Sequence, residues 1–243
     1  MATFPTPPPH LTKESIARDV ERLGPWITGF TACDTNFGGQ YFAEYDTRIQ
    51  TFLRYVGAKR LQFKNVLECG CLEGGHTSAL AMALPKAQIT ATEIRLENLA
   101  KAKLLTDVRD LKNVTFMQDD LEEPAKSLEK SYDAIVCIGV LYHLRDPLRF
   151  LKRAAQSSPI LWLWTQYCSE LEADYIENNY RGKIYAEPVE HPLSGIRTES
   201  FFPTLGSLNE MLLEAGYNRI EIFSREVTQH GTGPAILLGA KKV

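Results

Sequence analysis

Three carboxylates and three glycines in this chain are spaced to hold a nucleotide-like ligand. The run Asn65-Val66-Leu67-Glu68-Cys69-Gly70-Cys71-Leu72-Glu73-Gly74-Gly75-His76 passes from an apolar β-type stretch to an acid, then to glycines, then to a helical segment. Gly70 lets the backbone turn tightly and approach a ligand with no Cβ in the way. Gly74 and Gly75 open the next helix, whose free N–H groups and positive end favour a polar or anionic group. Glu93 closes a second β-like run, Ala87 to Glu93, at close to the roughly 20-residue interval expected of an acid that grips ribose hydroxyls. A carboxylate accepts two hydroxyl donors at once, which suits a vicinal diol. The glycine loop departs from the dinucleotide spacing G-x-G-x-x-G, because Cys71 and Leu72 stand where the second glycine belongs.

The elements that must carry these groups alternate. Helices are predicted from Thr12 or Lys13 to Leu23, where Gly24-Pro25 stops the first, and then from Glu44 to Tyr55 and from Leu96 to Leu105. A third strand, Val114 to Met117, runs into Gln118-Asp119-Asp120-Leu121. A fourth, Tyr132 to Ile138, leads into Gly139-Val140-Leu141-Tyr142-His143-Leu144-Arg145-Asp146-Pro147-Leu148. Pro147 to Gln156 reads as a helix and Pro159 to Trp164 as the fifth strand. Strands alternating with helices predict an α/β doubly wound sheet, with the ligand at the carboxyl ends of the strands. The stretch from Cys168 to Pro203 is long for a connection in a compact domain and reads as a functional loop or cap. A helix from Thr204 to Ala215 and two strands, near 219–223 and 235–240, close the chain. The expected division is an N-terminal helical lid segment, residues 1–60, and a main domain, residues 61–243, with its cap at 168–203.

The loop resembles the acid-x-Gly-x-x-x-Gly motif of class I S-adenosylmethionine (SAM)-dependent methyltransferases. The later motifs follow in the family's order. The resemblance implies a mostly parallel seven-stranded, Rossmann-like sheet with an antiparallel C-terminal strand pair. It implies SAM as cofactor, held by Glu68, Gly70, Cys71 and Gly74 of the loop, and by Glu93 and Ile94 at the second strand end. Asp120 and Leu121 would meet the adenine, with Asp119 the alternative acid, and the fourth strand end at Ile138 would hold the amino group. No metal is expected.

A sulfonium methyl is already electrophilic, so the protein must mainly align the acceptor in line with it. A hydroxyl acceptor needs its proton removed, and histidine is the usual base at neutral pH. His143 is the first candidate, with Tyr142 beside it; His191 and His230 are the others. Trp26, Tyr41, Gln166, Arg181, Tyr185 and Glu187 are the expected acceptor contacts. Trp26, Phe37 and Tyr41 serve equally well as a cover for an exposed sheet edge, and His143 as a packed structural residue. The segment from Gly139 to Leu148 is similar to the branch that includes bacterial tRNA wobble-uridine carboxymethyltransferases and glycan and natural-product methyltransferases.

Composition narrows the acceptor. The 243 residues carry a net charge of −3, which leaves no global basic footprint for nucleic acid. A local basic patch at Arg145, Arg149, Lys152 and Arg153 stays open. No apolar run is long enough to span a membrane, and residues 1–10 lack a signal-peptide layout. Five scattered cysteines at 33, 69, 71, 137 and 168 suit reduced thiols in a cytoplasmic protein. The preferred expectation is O- or N-methylation of a small-molecule or saccharide acceptor. The alternatives are a tRNA-directed enzyme and a non-catalytic SAM-binding subunit; a homodimer is left open.

Overall fold

The computed structural model describes residues 6–188, 190–226 and 234–242. The chain divides into two compact units, Met1–Asp119 and Asp120–Val243. In the first unit, Thr12 caps helix α1 (Lys13–Arg22) by exchanging bonds with Ser15 in a capping box. A short hairpin follows, β1 (Gly29–Ala32) and β2 (Thr35–Gly38). Its two-residue turn places Cys33 and Asp34 at φ 47° and 52°, the left-handed pair that a tight hairpin turn requires. Cys33-Asp34 lacks the usual glycine and is a weak sequence signal for such a turn. Helix α2 begins at Thr47 rather than Glu44 and ends at Ala58, because Asp46 caps it through the Arg48 N–H.

Then come β3 (Asn65–Cys69), α3 (Gly75–Ala83), β4 (Gln88–Glu93), α4 (Leu96–Val108) and β5 (Val114–Gln118). Strands β3, β4 and β5 pair in parallel, in the register Glu68↔Ala91 and Glu93↔Gln118. Ile16, Phe30, Phe37, Leu105 and Val108 form one buried cluster, so α1 and the hairpin share a core with α4. Trp26 packs against this cluster and donates its indole N–H to the Val20 carbonyl at 3.0 Å.

The second unit holds β6 (Ala134–Ile138), α5 (Pro147–Ser157), β7 (Ile160–Gln166), β8 (Tyr175–Glu177), β9 (Tyr180–Ala186), β10 (Glu199–Pro203), α6 (Leu205–Ala215), β11 (Arg219–Glu226) and β12 (Ala235–Lys241). Strands β6 and β7 are parallel, and β12 lies antiparallel between β7 and β11. Seven strands form one sheet in the order β11-β12-β7-β6-β3-β4-β5, mostly parallel with an antiparallel C-terminal pair. The segment 168–203, expected as a functional loop or cap, builds a three-stranded antiparallel sheet, β10-β9-β8. Its two roots meet where the Cys168 N–H donates to the Pro203 carbonyl at 3.0 Å. Once closed at its base, the long connection can pair its own backbone groups, which a bare loop could not. All five cysteines are free thiols. Among the described residues no helix is long and apolar enough to cross a membrane.

Buried charges fasten the N-terminal segment to the rest of the first unit. The Glu73 carboxylate accepts the Ile27 and Thr28 N–H groups at 2.9 and 2.6 Å and pairs with Lys101 Nζ at 2.8 Å. Both partners of that ion pair are nearly inaccessible, so removing one strands the other in the interior. Glu73→Ala should therefore lower the unfolding free energy by about 3–5 kcal/mol. Urea denaturation reads this directly; a loss below about 1 kcal/mol would show that the clamp carries no weight.

Candidate functional site

The turn after β3 is built by glycines at two positions and by a carboxylate at a third. Gly70 adopts φ 72° and its N–H reaches Thr92 Oγ1 at 3.4 Å. Gly74 is the N-cap of α3 at φ 80°. A Cβ added there would lie 2.8 Å from both Cα and Cβ of Ala102, so this glycine is needed for helix packing. Cys71 is buried, and its thiol is pushed up by burial.

Glu93, at the end of β4, holds the loop in place. Its Oε1 accepts the Ile94 and Arg95 N–H groups at 2.9 and 3.0 Å, and its Oε2 accepts the Leu72 N–H at 3.0 Å. Burial pushes the pKa of this carboxyl up, although the three backbone donors pull against it. A carboxylate offers about four acceptor positions, so three bonds leave room for a ligand hydroxyl. Glu68 is more secluded, at 3% exposure, and accepts the Thr77 hydroxyl at 2.5 Å. Burial pushes its carboxyl up to about 8, against the Thr77 bond and assisted by the nearby Glu93 charge. Two buried carboxyls beside a glycine turn form a donor set suited to a cationic ligand that carries a diol. SAM, with its sulfonium and ribose, fits that chemistry.

Tyr41 sits in a cluster that sequence reasoning did not find. Its hydroxyl contacts His76 Nε2 at 3.2 Å, receives Arg48 Nη2 at 2.8 Å and donates to Asp46. Asp46 also meets His76 Nε2 at 3.1 Å and Arg48 Nε at 2.9 Å. The Asp46 carboxyl overcomes its burial through bonds from His76 and Arg48, and lies far below the usual carboxylate range. Burial lowers the His76 imidazole below its ordinary value. His76 follows directly on the glycine pair. Only the polar spacing of Tyr41, Asp46 and Arg48 hinted at the group.

In the second unit, Asp120 turns its Oδ1 to the Glu122 N–H at 2.9 Å, and Leu121 is buried. Ile138 ends β6, and Gly139 beyond it takes φ 78°. His143 lies on the short helical turn Leu141–His143. Its Nδ1 stands 2.9 Å from Glu187 Oε2 and 3.1 Å from Ser200 Oγ. Gly195 sends its N–H to the same carboxylate at 3.0 Å, and Ser200 donates to Glu187 Oε1. Despite burial, bonds with His143 and Ser200 hold the Glu187 carboxyl below its ordinary range. Glu187, one of the expected acceptor contacts, is a partner of His143.

Aromatic rings gather around this pair. Tyr142 meets Phe202 at 5.3 Å and Trp164 at 6.3 Å, edge to face, and Tyr185 lies on Phe202 at 4.3 Å. Gln166 is buried at the end of β7. Arg181 is taken up by the turn beneath it, donating to Glu170 Oε2 and to the Glu170 and Ala173 carbonyls at 3.3–3.4 Å. His191 is exposed and accepts the Leu193 N–H at 3.2 Å within its own turn. His230 lies outside the described residues.

A methyltransferase-domain family matches residues 67–157, the stretch that carries the glycine turn, Glu93, Asp120 and His143. Sheet order, glycine turn and this match define a class I SAM-dependent methyltransferase, with SAM as its cofactor. Over 89% of its length the chain is 24% identical to the tRNA U34 carboxymethyltransferase of Campylobacter curvus (strain 525.92), spanning 67% of that protein. It is 33% identical over 92 residues to the ubiquinone biosynthesis O-methyltransferase of Serratia proteamaculans (strain 568), a match covering 38% of this chain and 37% of that enzyme. The crystal structure of the N-terminal domain of EvdMO1 with SAH bound matches at TM-score 0.84 and 26% identity, over 96% of this chain and 98% of that one. The same domain was solved in the presence of SAH and D-fucose. The chain spans about half, 48%, of the longer EvdMO1 structure.

Glu68 makes stability depend on pH in a defined sense. Its folded-state value, about 8, is above the ordinary 4.5, so folding favours the protonated form. That contribution is complete below pH 4.5 and is lost as pH rises through 8. Between pH 5 and 9 the unfolding free energy of the wild type should fall more steeply than that of Glu68→Gln. Denaturant titrations giving parallel curves would show that Glu68 ionises as an ordinary carboxyl.

Proposed function

We propose that this chain transfers the methyl group of SAM to a hydroxyl of a saccharide or other small-molecule acceptor, with His143 as the general base. The observation that carries this reading is the 2.9 Å contact of His143 Nδ1 with Glu187. The carboxylate at 2.9 Å favours the proton on Nδ1 over the Gly195 N–H, which approaches the same nitrogen at 3.2 Å, and so leaves the lone pair on Nε2. Nε2 can then take the proton of an acceptor hydroxyl as its oxygen attacks. Glu187 stabilises the imidazolium that forms and fixes the ring through its bonds to Ser200 and Gly195. The bound cofactor supplies an electrophilic methyl and a neutral leaving thioether.

The half-buried rings of Tyr142 and Tyr185, both packed on the buried Phe202, give the acceptor aromatic contacts, which suit the C–H face of a sugar ring. The D-fucose used with the EvdMO1 domain and the O-methylation named for the ubiquinone enzyme support a hydroxyl acceptor. Glu93 and Gly70 are the proposed ribose and methionine contacts, with Asp120 and Leu121 on the adenine. His191 drops behind His143, since its ring nitrogen serves its own turn.

His143→Ala should lower turnover by about 10²-fold or more while leaving SAH affinity nearly intact. Glu187→Gln should lower kcat in the same direction with little change in KM for SAM. Full turnover in both variants would move the base elsewhere or indicate an acceptor that needs none. Independently, Glu93→Ala should weaken SAH binding by about 1.5–3 kcal/mol in calorimetry. Unchanged affinity in a folded Glu93→Ala protein would take Glu93 out of the cofactor site.

A further inference from the structure

Three of the cations of the basic patch left open by the sequence, Arg149, Lys152 and Arg153, line an open cavity of about 490 Å³ in the second unit, together with Asp146, Leu148 and Asn178. We propose that this cavity binds a phosphoryl group, best a diphosphate borne on a small molecule. Arg149, Lys152 and Arg153 stand at spacings of three and four along α5, which puts them on one helix face. Asn178 reaches the same cavity from the β8–β9 turn, where it and Asn179 adopt φ 50° and 72°. A donor amide thus faces a cationic helix face across an open groove.

The state of the three cations favours an anion. Arg153 Nη2 donates to the Pro124 and Ala125 carbonyls at 2.8 and 3.3 Å. Those acceptors are neutral, so they orient the guanidinium without cancelling its charge. Among the described residues no carboxylate lies within ion-pair distance of Arg153. Arg149 and Lys152 do have partners, Glu123 at 2.6 Å and Glu214 at 2.7 Å. Both pairs are about half exposed, and exposed pairs contribute at most about 1 kcal/mol, so an incoming anion can displace them at little cost. Asp146 is the sole acid on the wall, and its Oδ1 is turned to the Arg149 N–H at 2.9 Å as the helix cap.

Guanidinium forks match phosphate oxygens two at a time, which favours a phosphoryl group over a halide. The volume lies in the range of small-molecule pockets, and the Leu148 side chain offers an apolar wall to whatever the phosphate carries. A polymer backbone fits less well. It needs a track of several uncompensated cations, whereas Glu123 and Glu214 flank this group and the chain as a whole carries −3. The site itself requires no step of the methyl transfer. If the saccharide reading above holds, the acceptor is one activated through a diphosphate, such as a nucleotide-linked sugar.

Calorimetry with inorganic pyrophosphate, on the full chain with SAH present, tests the site. Saturable 1:1 binding is expected, weakened about tenfold or more by Arg153→Gln combined with Lys152→Gln, with SAH affinity and thermal melting unchanged. Arg149→Gln provides a second variant if the first fails to fold. Absence of saturable binding, or equal binding by wild type and folded variants, overturns the proposal. A nucleoside-diphosphate hexose should compete with pyrophosphate and bind more tightly; competition by pyrophosphate alone would assign the site to free diphosphate. Much tighter binding of a single-stranded RNA oligomer, with a steep salt dependence, would replace the proposal by a nucleic-acid surface.

Discussion

The turn from Gly70 to Gly75 is the constraint on which the first unit depends. It must pass close enough to α4 that a Cβ at Gly74 would sit 2.8 Å from Ala102, and close enough to Ala43 that a Cβ at Gly75 would sit 2.3 Å from its methyl. Such approaches leave no room for water, so every polar group in the turn needs a partner from the protein. Glu93 supplies one by accepting the Leu72 N–H. Glu73 supplies the reciprocal arrangement, a loop carboxylate that accepts two N–H groups from the N-terminal segment. The glycine loop and the N-terminal segment are thereby held as one piece.

Burial has opposite consequences at the acids of this unit. Asp46 has Arg48, His76 and Tyr41 around it and stays ionised far into acid. Glu68 has a single hydroxyl donor and a like charge nearby, and its carboxyl rises to about 8. The difference lies in the partners, since both side chains are almost fully enclosed.

In the second unit the inserted sheet does a comparable service. Glu187 lies just past β9, Ser200 on β10 and Gly195 on the turn between them, and all three converge on one imidazole or its partner carboxylate. The insertion is closed at its base and Glu122 ties it further, pairing with Arg197 at 2.5 Å while accepting the Arg145 N–H. The histidine is oriented by residues more than forty positions away in sequence.

Local patterns in the sequence determined the parallel strands, their helices, the glycine turn and the acid at the second strand end. Each is written in a few consecutive residues: apolar β-type runs, a Thr12 cap, Gly216 at φ 103° after α6. Those signals depend on backbone preference and periodicity, which a neighbourhood of ten residues expresses. The N-terminal hairpin escaped because Cys33-Asp34 lacks the glycine that usually marks its turn. The strands of the insertion escaped because β9 carries Arg181, Gly182 and Lys183 where an apolar run would mark a strand, and because all three pair only with each other. Only the tertiary structure decided that Trp26 belongs to a core, that Glu73 is a clamp, that Tyr41 is engaged by Asp46 and Arg48, and that Glu187 answers His143. The physical reason is common to all four: a buried polar or aromatic side chain takes its role from the partner that meets it, and these partners come from distant parts of the chain.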